Sequence, residues 1–172
     1  MENYLEKGIQ IPQPEDIPKR ERDDAMGAYL MMFAAWAIGL PLPSINLIAG
    51  FIYHFVNRKK SRFVAFHSFQ SLITQTILTL FNASLLAYAI HILYSPSLNF
   101  SDIQTSCWAY FGFVIVLNLI YTIFSLIAMN YARKGNFYYF WVFGRLSFAR
   151  YYGPNAVNLE KSESPNRPPE GF

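Results

Sequence analysis

The sequence predicts an all-α integral membrane protein: a short proline-broken helical hairpin, two long antiparallel transmembrane helices, and an interfacial aromatic segment. Three observations predict it. No Asp, Glu, Lys or Arg occurs in residues 25–56, and Asp102 alone occurs in residues 63–132. Only 15% of the chain is charged and 53% is hydrophobic, too little charge for a soluble shell. The Lys and Arg residues gather in short clusters beside the apolar runs, where they mark orientation.

The first apolar run, residues 25–56, is interrupted by Pro41 and Pro43, which remove backbone donors and disfavour helix in the residues before them. A helix over 25–40 therefore stops, and a second, 44–56, starts with Ser44 as its N-cap. At 1.5 Å per residue these reach roughly 24 and 20 Å, short of a hydrocarbon core of roughly 30 Å. They are either a tight hairpin or one broken helix that crosses once. The third segment, 63–94, starts amphipathically and becomes continuously apolar at Leu72; the fourth, 107–130, is also long enough to cross.

Charge chooses between the two readings of the first run. Arg58, Lys59, Lys60 and Arg62 lie between segments two and three, Arg133 and Lys134 follow segment four, and the loop over residues 95–106 has no cation. That loop is expected outside. Lys19, Arg20 and Arg22 place the N-terminus inside, which requires an even number of crossings and so the hairpin. Residues 131–152, dense in Phe and Tyr with Trp141, Arg145 and Arg150, read as an interfacial segment. The domains are then a polar tail over 1–24, a membrane domain over 25–152 and a disordered tail over 153–172, rich in Pro, Asn, Ser and Glu.

Polar residues inside the membrane need partners. Counting 1.5 Å per residue from the segment ends, Asn82 and Asn118 both fall near the midplane, Thr79 falls level with Thr122, and Gln75 with Ser125. Each trio lies on one helix face. They predict a hydrogen-bonded seam between antiparallel helices, the alternative being a polar path. His54 and His67 flank the basic turn but have no Cys, Asp or Glu beside them, a poor metal site. The chain carries no carboxylate pair, zinc motif, nucleophile elbow or phosphate loop. No metal, cofactor, nucleic-acid partner or enzymatic activity is therefore expected, and the lone Cys107 forms no intrachain disulfide.

Two stretches carry a resemblance. Residues 61–71, SRFVAFHSFQS, resemble an S-x-F-V-x-x-H-x-x-Q-A helix entry, with Phe63, Val64, His67 and Gln70 in the matching positions. Residues 135–145, GNFYYFWVFGR, resemble a G-E-x-Y-x-Y-P-x-x-I-R segment through Gly135, Tyr138 and Arg145. Both belong to a small bacterial membrane family of unknown function related to the chloroplast import component Tic-twenty, and the likeness covers about residues 25–150. The chain departs from the pattern at Ser71 for Ala, Asn136 for Glu, Phe140 for Tyr, Trp141 for Pro and Gly144 for Ile. The resemblance implies a helical membrane protein related to protein translocation and supplies no catalytic residues; together with the charge pattern, the expectation is a non-enzymatic protein of the bacterial inner membrane, both termini cytoplasmic, that works with other membrane proteins or with itself. The alternative is a small oligomeric transporter or channel lined by the Gln75, Thr79, Asn82 face. Without the family, His67 and Gln70 are three residues apart on one helix face beside the basic turn, placed to latch carbonyls of the hairpin or to meet lipid headgroups.

Overall fold

The structure, a computed structural model, describes residues 9–37, 39, 43–94, 105–153, 156–157 and 165–170. Its helices in chain order are α1 (Lys19–Leu30), α2 (Ala34–Ala37), α3 (Pro43–Asn57), α4 (Arg62–Tyr94), α5 (Thr105–Arg133) and α6 (Trp141–Tyr151). A 3-10 turn, Met31–Phe33, joins α1 to α2.

Two of these helices, α4 and α5, are long and apolar enough to cross a membrane. Their 33 and 29 residues extend roughly 50 and 44 Å at 1.5 Å per residue. They run antiparallel: Phe81 of α4 packs on Phe113 of α5, and Asn82 bonds Asn118. Leu80, Leu93, Leu119 and Ile123 stand outward with more than half their surface uncovered, the pattern of a helix solvated by lipid tails.

The buried core lies at one end of this pair. It is assembled from Ala25, Ala28, Tyr29 and Met32 of the first helical run, Phe63 to Phe66 at the start of α4, Ala128 and Ala132 at the end of α5, and Phe137, Phe140, Phe148 and Tyr152 beyond it. The basic turn between α3 and α4 sits at the same end, where Lys60 bridges to Asp24 at 2.7 Å.

Several boundaries differ from the sequence reading. The first helix starts at Lys19, inside the stretch read as a polar tail, because Pro18 with its extended ψ of 145° supplies the N-cap position. A helix propagates through charged residues as readily as apolar ones, so the charge-free stretch marked burial rather than the helix start. The helix expected over 25–40 is thus α1, a 3-10 turn and α2, and its first part is packed against α4 and α5. Gly39, at φ +70°, follows α2. Pro43 takes the first position of α3, where a missing N–H costs nothing. The aromatic stretch over 131–152 divides into the end of α5, an extended run, and α6.

Parts of the two tails also fold onto the base. Ile9–Gln10 pairs in parallel with Ala156–Val157, a two-residue ladder that the all-α reading did not include. Asn166 is buried; its amide donates to the carbonyls of Pro12 and Gly135 and accepts from the N–H of Phe137. The expectation of a disordered tail from residue 153 therefore fails at these residues: one amide there satisfies three backbone groups that burial would otherwise leave unpaired. The loop over residues 95–104, expected outside, falls beyond the described residues.

Gly135 closes α5 with the two bonds of a Schellman turn, Asn136 N to Tyr131 O at 2.9 Å and Gly135 N to Ala132 O at 3.0 Å. Its φ of +82° is left-handed, and a Cβ there would lie 3.0 Å from Pro14 Cα. Gly135→Ala is expected to destabilise the protein by about 1–2 kcal/mol from backbone conformation alone, before the overlap with Pro14. Thermal unfolding in detergent checks this; an unchanged midpoint would refute it.

Candidate functional site

The helix-entry residues meet the C-terminal aromatic segment at the base. Gln70, fully buried, donates through Nε2 to Tyr29 Oη at 3.0 Å and to the Tyr138 carbonyl at 2.9 Å, while its Oε1 accepts from the N–H of Phe140 at 3.3 Å. One amide therefore ties α1, α4 and the extended run after α5. Tyr29, already an acceptor, has its own proton free for His67 Nδ1 at 2.9 Å, which leaves the proton of a neutral His67 on Nε2. That nitrogen lies toward the backbone of Asn136 without a hydrogen bond of ordinary geometry. The imidazole stacks on Phe137 at 5.8 Å and 17°, and Phe63 and Phe66 close on the same ring edge-on.

Thus Phe63, Val64, His67 and Gln70 from one motif and Gly135 and Tyr138 from the other form one buried cluster. His67 and Gln70, expected to bond hairpin carbonyls or headgroups, bond Tyr29 instead, and Gln70 also the backbone of the second motif. Arg145 is exposed on α6. Tyr29, the hub, was absent from the sequence reading; its signal was one hydroxyl among apolar residues on a helix that starts before the apolar run.

Two departures from the second motif also find their place. Phe140 is extended, at ψ 124°, and α6 begins at Trp141. The motif's proline would occupy the first helical position, where proline and other residues serve equally, so the turn keeps its geometry without it. Gly144 faces Tyr139 so closely that a Cβ would come within 2.6 Å of the Tyr139 Cα, and the isoleucine of the motif has no room.

Further along the spans, Asn82 and Asn118 exchange two amide bonds, 3.3 and 3.1 Å, and each also donates to a carbonyl one turn back on its own helix. Thr122 donates to the Asn118 carbonyl, 2.8 Å. Thr79 lies on the Asn82 face one turn nearer the base. Gln75 turns toward the hairpin: its Nε2 donates to Ser71 Oγ at 3.0 Å, and its Oε1 abuts Gly50 of α3. Ser125 is buried without a hydrogen bond, and Tyr121 Oη stands among Ser125, Gln75 and Ser71. Ser84 and Tyr110, bonded at 2.5 Å with Tyr110 also reaching the Phe81 carbonyl at 3.2 Å, extend the seam beyond what the spacing indicated.

Between α4, α5 and the extended run lies an apolar cleft of about 590 Å³, lined by Thr74, Leu78, Leu117, Tyr121, Tyr138 and Trp141 among others. Burial pushes the Tyr139 and Tyr152 phenols at the base above the ordinary range, so both stay uncharged. His54 bonds Ser68 Oγ at 2.8 Å and Tyr151 Oη at 3.3 Å, while His67 faces Tyr29, so the two histidines have separate partners. Among the described residues no three of His, Cys, Asp and Glu come together as a metal-ligand set.

Removing the Gln70 amide while keeping its volume should cost about 1–3 kcal/mol for each buried group left unpaired. Gln70→Leu is therefore expected to lower the unfolding midpoint well below that of Thr76→Val, whose hydroxyl is exposed; equal midpoints would remove the latch. For the seam, a double-mutant cycle on Asn82→Leu and Asn118→Leu is expected to return a coupling of roughly 0.6 kcal/mol, the usual worth of such bonds in membranes. Strict additivity would mean that the two amides do not bond.

A family model, the MamF/MmsF magnetosome magnetite crystal formation protein family, matches residues 22–147. No curated protein and no solved structure matches the chain significantly. The match spans both motifs, the two long helices and most of the base, and it brings no link to Tic-twenty. The chain belongs to the magnetosome magnetite crystal formation protein family and is a membrane protein.

Proposed function

We propose that this chain is a non-catalytic, polytopic membrane component of magnetite crystal formation, acting as a member or partner of a larger membrane assembly. Family membership over residues 22–147 supports the process. The observation that carries the non-catalytic part is the inward pairing of the polar groups at depth: Asn82 with Asn118, Gln75 with Ser71, and no acid, base or thiol among them. Such groups order helices rather than reactants.

On this reading both termini lie in the cytosol of a bacterial cell, and the hairpin α1–α3 enters and returns on that side. A protein-translocation assembly is the narrower version, carried by the two Tic-twenty-like motifs. The channel alternative asks Gln75, Thr79 and Asn82 to face a path, whereas Asn82 is engaged with Asn118 and Gln75 is buried against α3.

In a magnetite-forming bacterium that lacks this chain, crystals seen by electron microscopy are expected to change in size or number, with recovery by the native chain and not by Gln70→Leu. Unchanged crystals would reject the process; solute flux through liposomes holding the pure protein would favour the channel. Cys107, near the start of α5, is expected to react with an impermeant maleimide from the side opposite the termini. Labelling only from the side of the termini would reverse the topology.

A further inference from the structure

We infer that Arg58 and Arg150 form a binding site for the phosphate of an anionic phospholipid headgroup, seated beside His54 at the basic end of α3. Arg58 lies over the Phe55 ring, 4.3 Å to its centroid, and Arg150 over the Phe69 ring at 4.7 Å. Phe55 and Phe69 are themselves the ring neighbours of His54, at 5.5 and 5.6 Å. Each guanidinium thus sits over a ring that packs on the same imidazole, and both act on it electrostatically. His54 is held between Ser68 and Tyr151, so α3, α4 and α6 are fixed around this point.

Neither arginine has a carboxylate partner among the described residues; the nearby Asp24 is taken by Lys60. A ring contact uses none of a guanidinium's five N–H donors in a hydrogen bond, and their fork matches phosphate oxygens two at a time. Two cations without a counter-ion repel, and a shared anion relieves that repulsion.

What makes the anion a lipid is the surface next to it. Phe51 and Phe55 are four residues apart on one face of α3, and Arg58 follows three residues on in the turn that continues it, its N–H donating to the His54 carbonyl. Phe51 and Phe55 pack with their ring centroids 4.4 Å apart, tilted by 36°. With Ile52 and Val56 they are 43–67% exposed, an uncovered apolar strip that ends at the guanidinium. Free phosphate uses only the cations, whereas a phospholipid uses the cations and the strip together.

The test supplies phosphatidylglycerol or phosphatidylcholine to the purified full chain in mild detergent and counts retained lipid by native mass spectrometry. Phosphatidylglycerol is expected to be retained over phosphatidylcholine. Arg58→Gln and Arg150→Gln should each weaken retention about fivefold and the double variant on the order of twentyfold, while Lys59→Gln, one residue away, stays within about twofold. Equal losses in Lys59→Gln and Arg58→Gln would reduce the site to diffuse surface charge and overturn it. Displacement of the lipid by inorganic phosphate would overturn the lipid in favour of a soluble anion. Should the glutamine variants fail to fold, Arg58→Lys with Arg150→Lys keeps the charge and loses the planar fork. Retention is expected to fall in that variant, and undiminished retention would overturn the site.

Discussion

The base of this molecule depends on one buried amide. Gln70 places both of its N–H donors and its carbonyl oxygen on three separate partners, so none of its polar atoms is left unpaired in the core. Because two of those partners are backbone groups of Tyr138 and Phe140, the extended run gains hydrogen bonds that it cannot make with itself. The third, Tyr29, carries the connection to His67 and α1. The aromatic residues around the network, Phe63, Phe66, Phe137 and Phe140, then exclude water from it, which makes every bond stronger and every missing partner more costly.

This arrangement follows from what a bilayer leaves available. Lipid tails are as apolar as the side chains they meet, so burying Leu80 or Ile123 against another helix gains little. The residues that do gain from burial are those at the polar end of the spans, where water competes for their surface. The packed core accordingly sits below the spans, and α4 is clothed by protein at Phe63–Phe66 and stands open at Leu80 and Leu93. Family membership over residues 22–147 covers the same two parts, the base and the spans.

The lengths of α4 and α5 and the closeness of Asn82 to Asn118 were legible because each follows from a local rule: apolar length and rise per residue. The latch was half legible. Spacing puts His67 and Gln70 on one face, but nothing local says that the face meets residue 138, almost seventy positions on. The start of α1 was hidden because charge was read as an end of structure, when the proline at 18 marks it. Asn166 was hidden for a related reason: a run rich in Pro, Asn and Ser signals disorder by composition, and composition cannot see that one amide fits a ring of unpaired backbone groups. Gln75 was paired with Ser125 by height alone; direction around the helix turns it instead to Gly50, and that angle depends on where the hairpin lies.

The reach of α3 sets the last feature of the architecture. Gly50 meets Gln75, and from Gly50 back to Pro43 the helix rises about 10 Å, which brings the start of α3 near the level of Asn82. Below that level α4 and α5 are braced by α1 and α3; above it, among the described residues, they have each other. The paired asparagines therefore stand where bracing ends, and this is where a polar pair has the most effect on register. Nearer the base, packing already fixes the two helices, and a hydrogen bond there would repeat a constraint. At this level the reciprocal bonds of Asn82 and Asn118 hold the helices against sliding by a turn, since a slip of one turn, about 5.4 Å, would part the two amides and break both bonds. Register is thus set twice, by the Gln70 network at the base and by the amide pair at mid-span, and the apolar surface between and beyond them is free to answer to lipid.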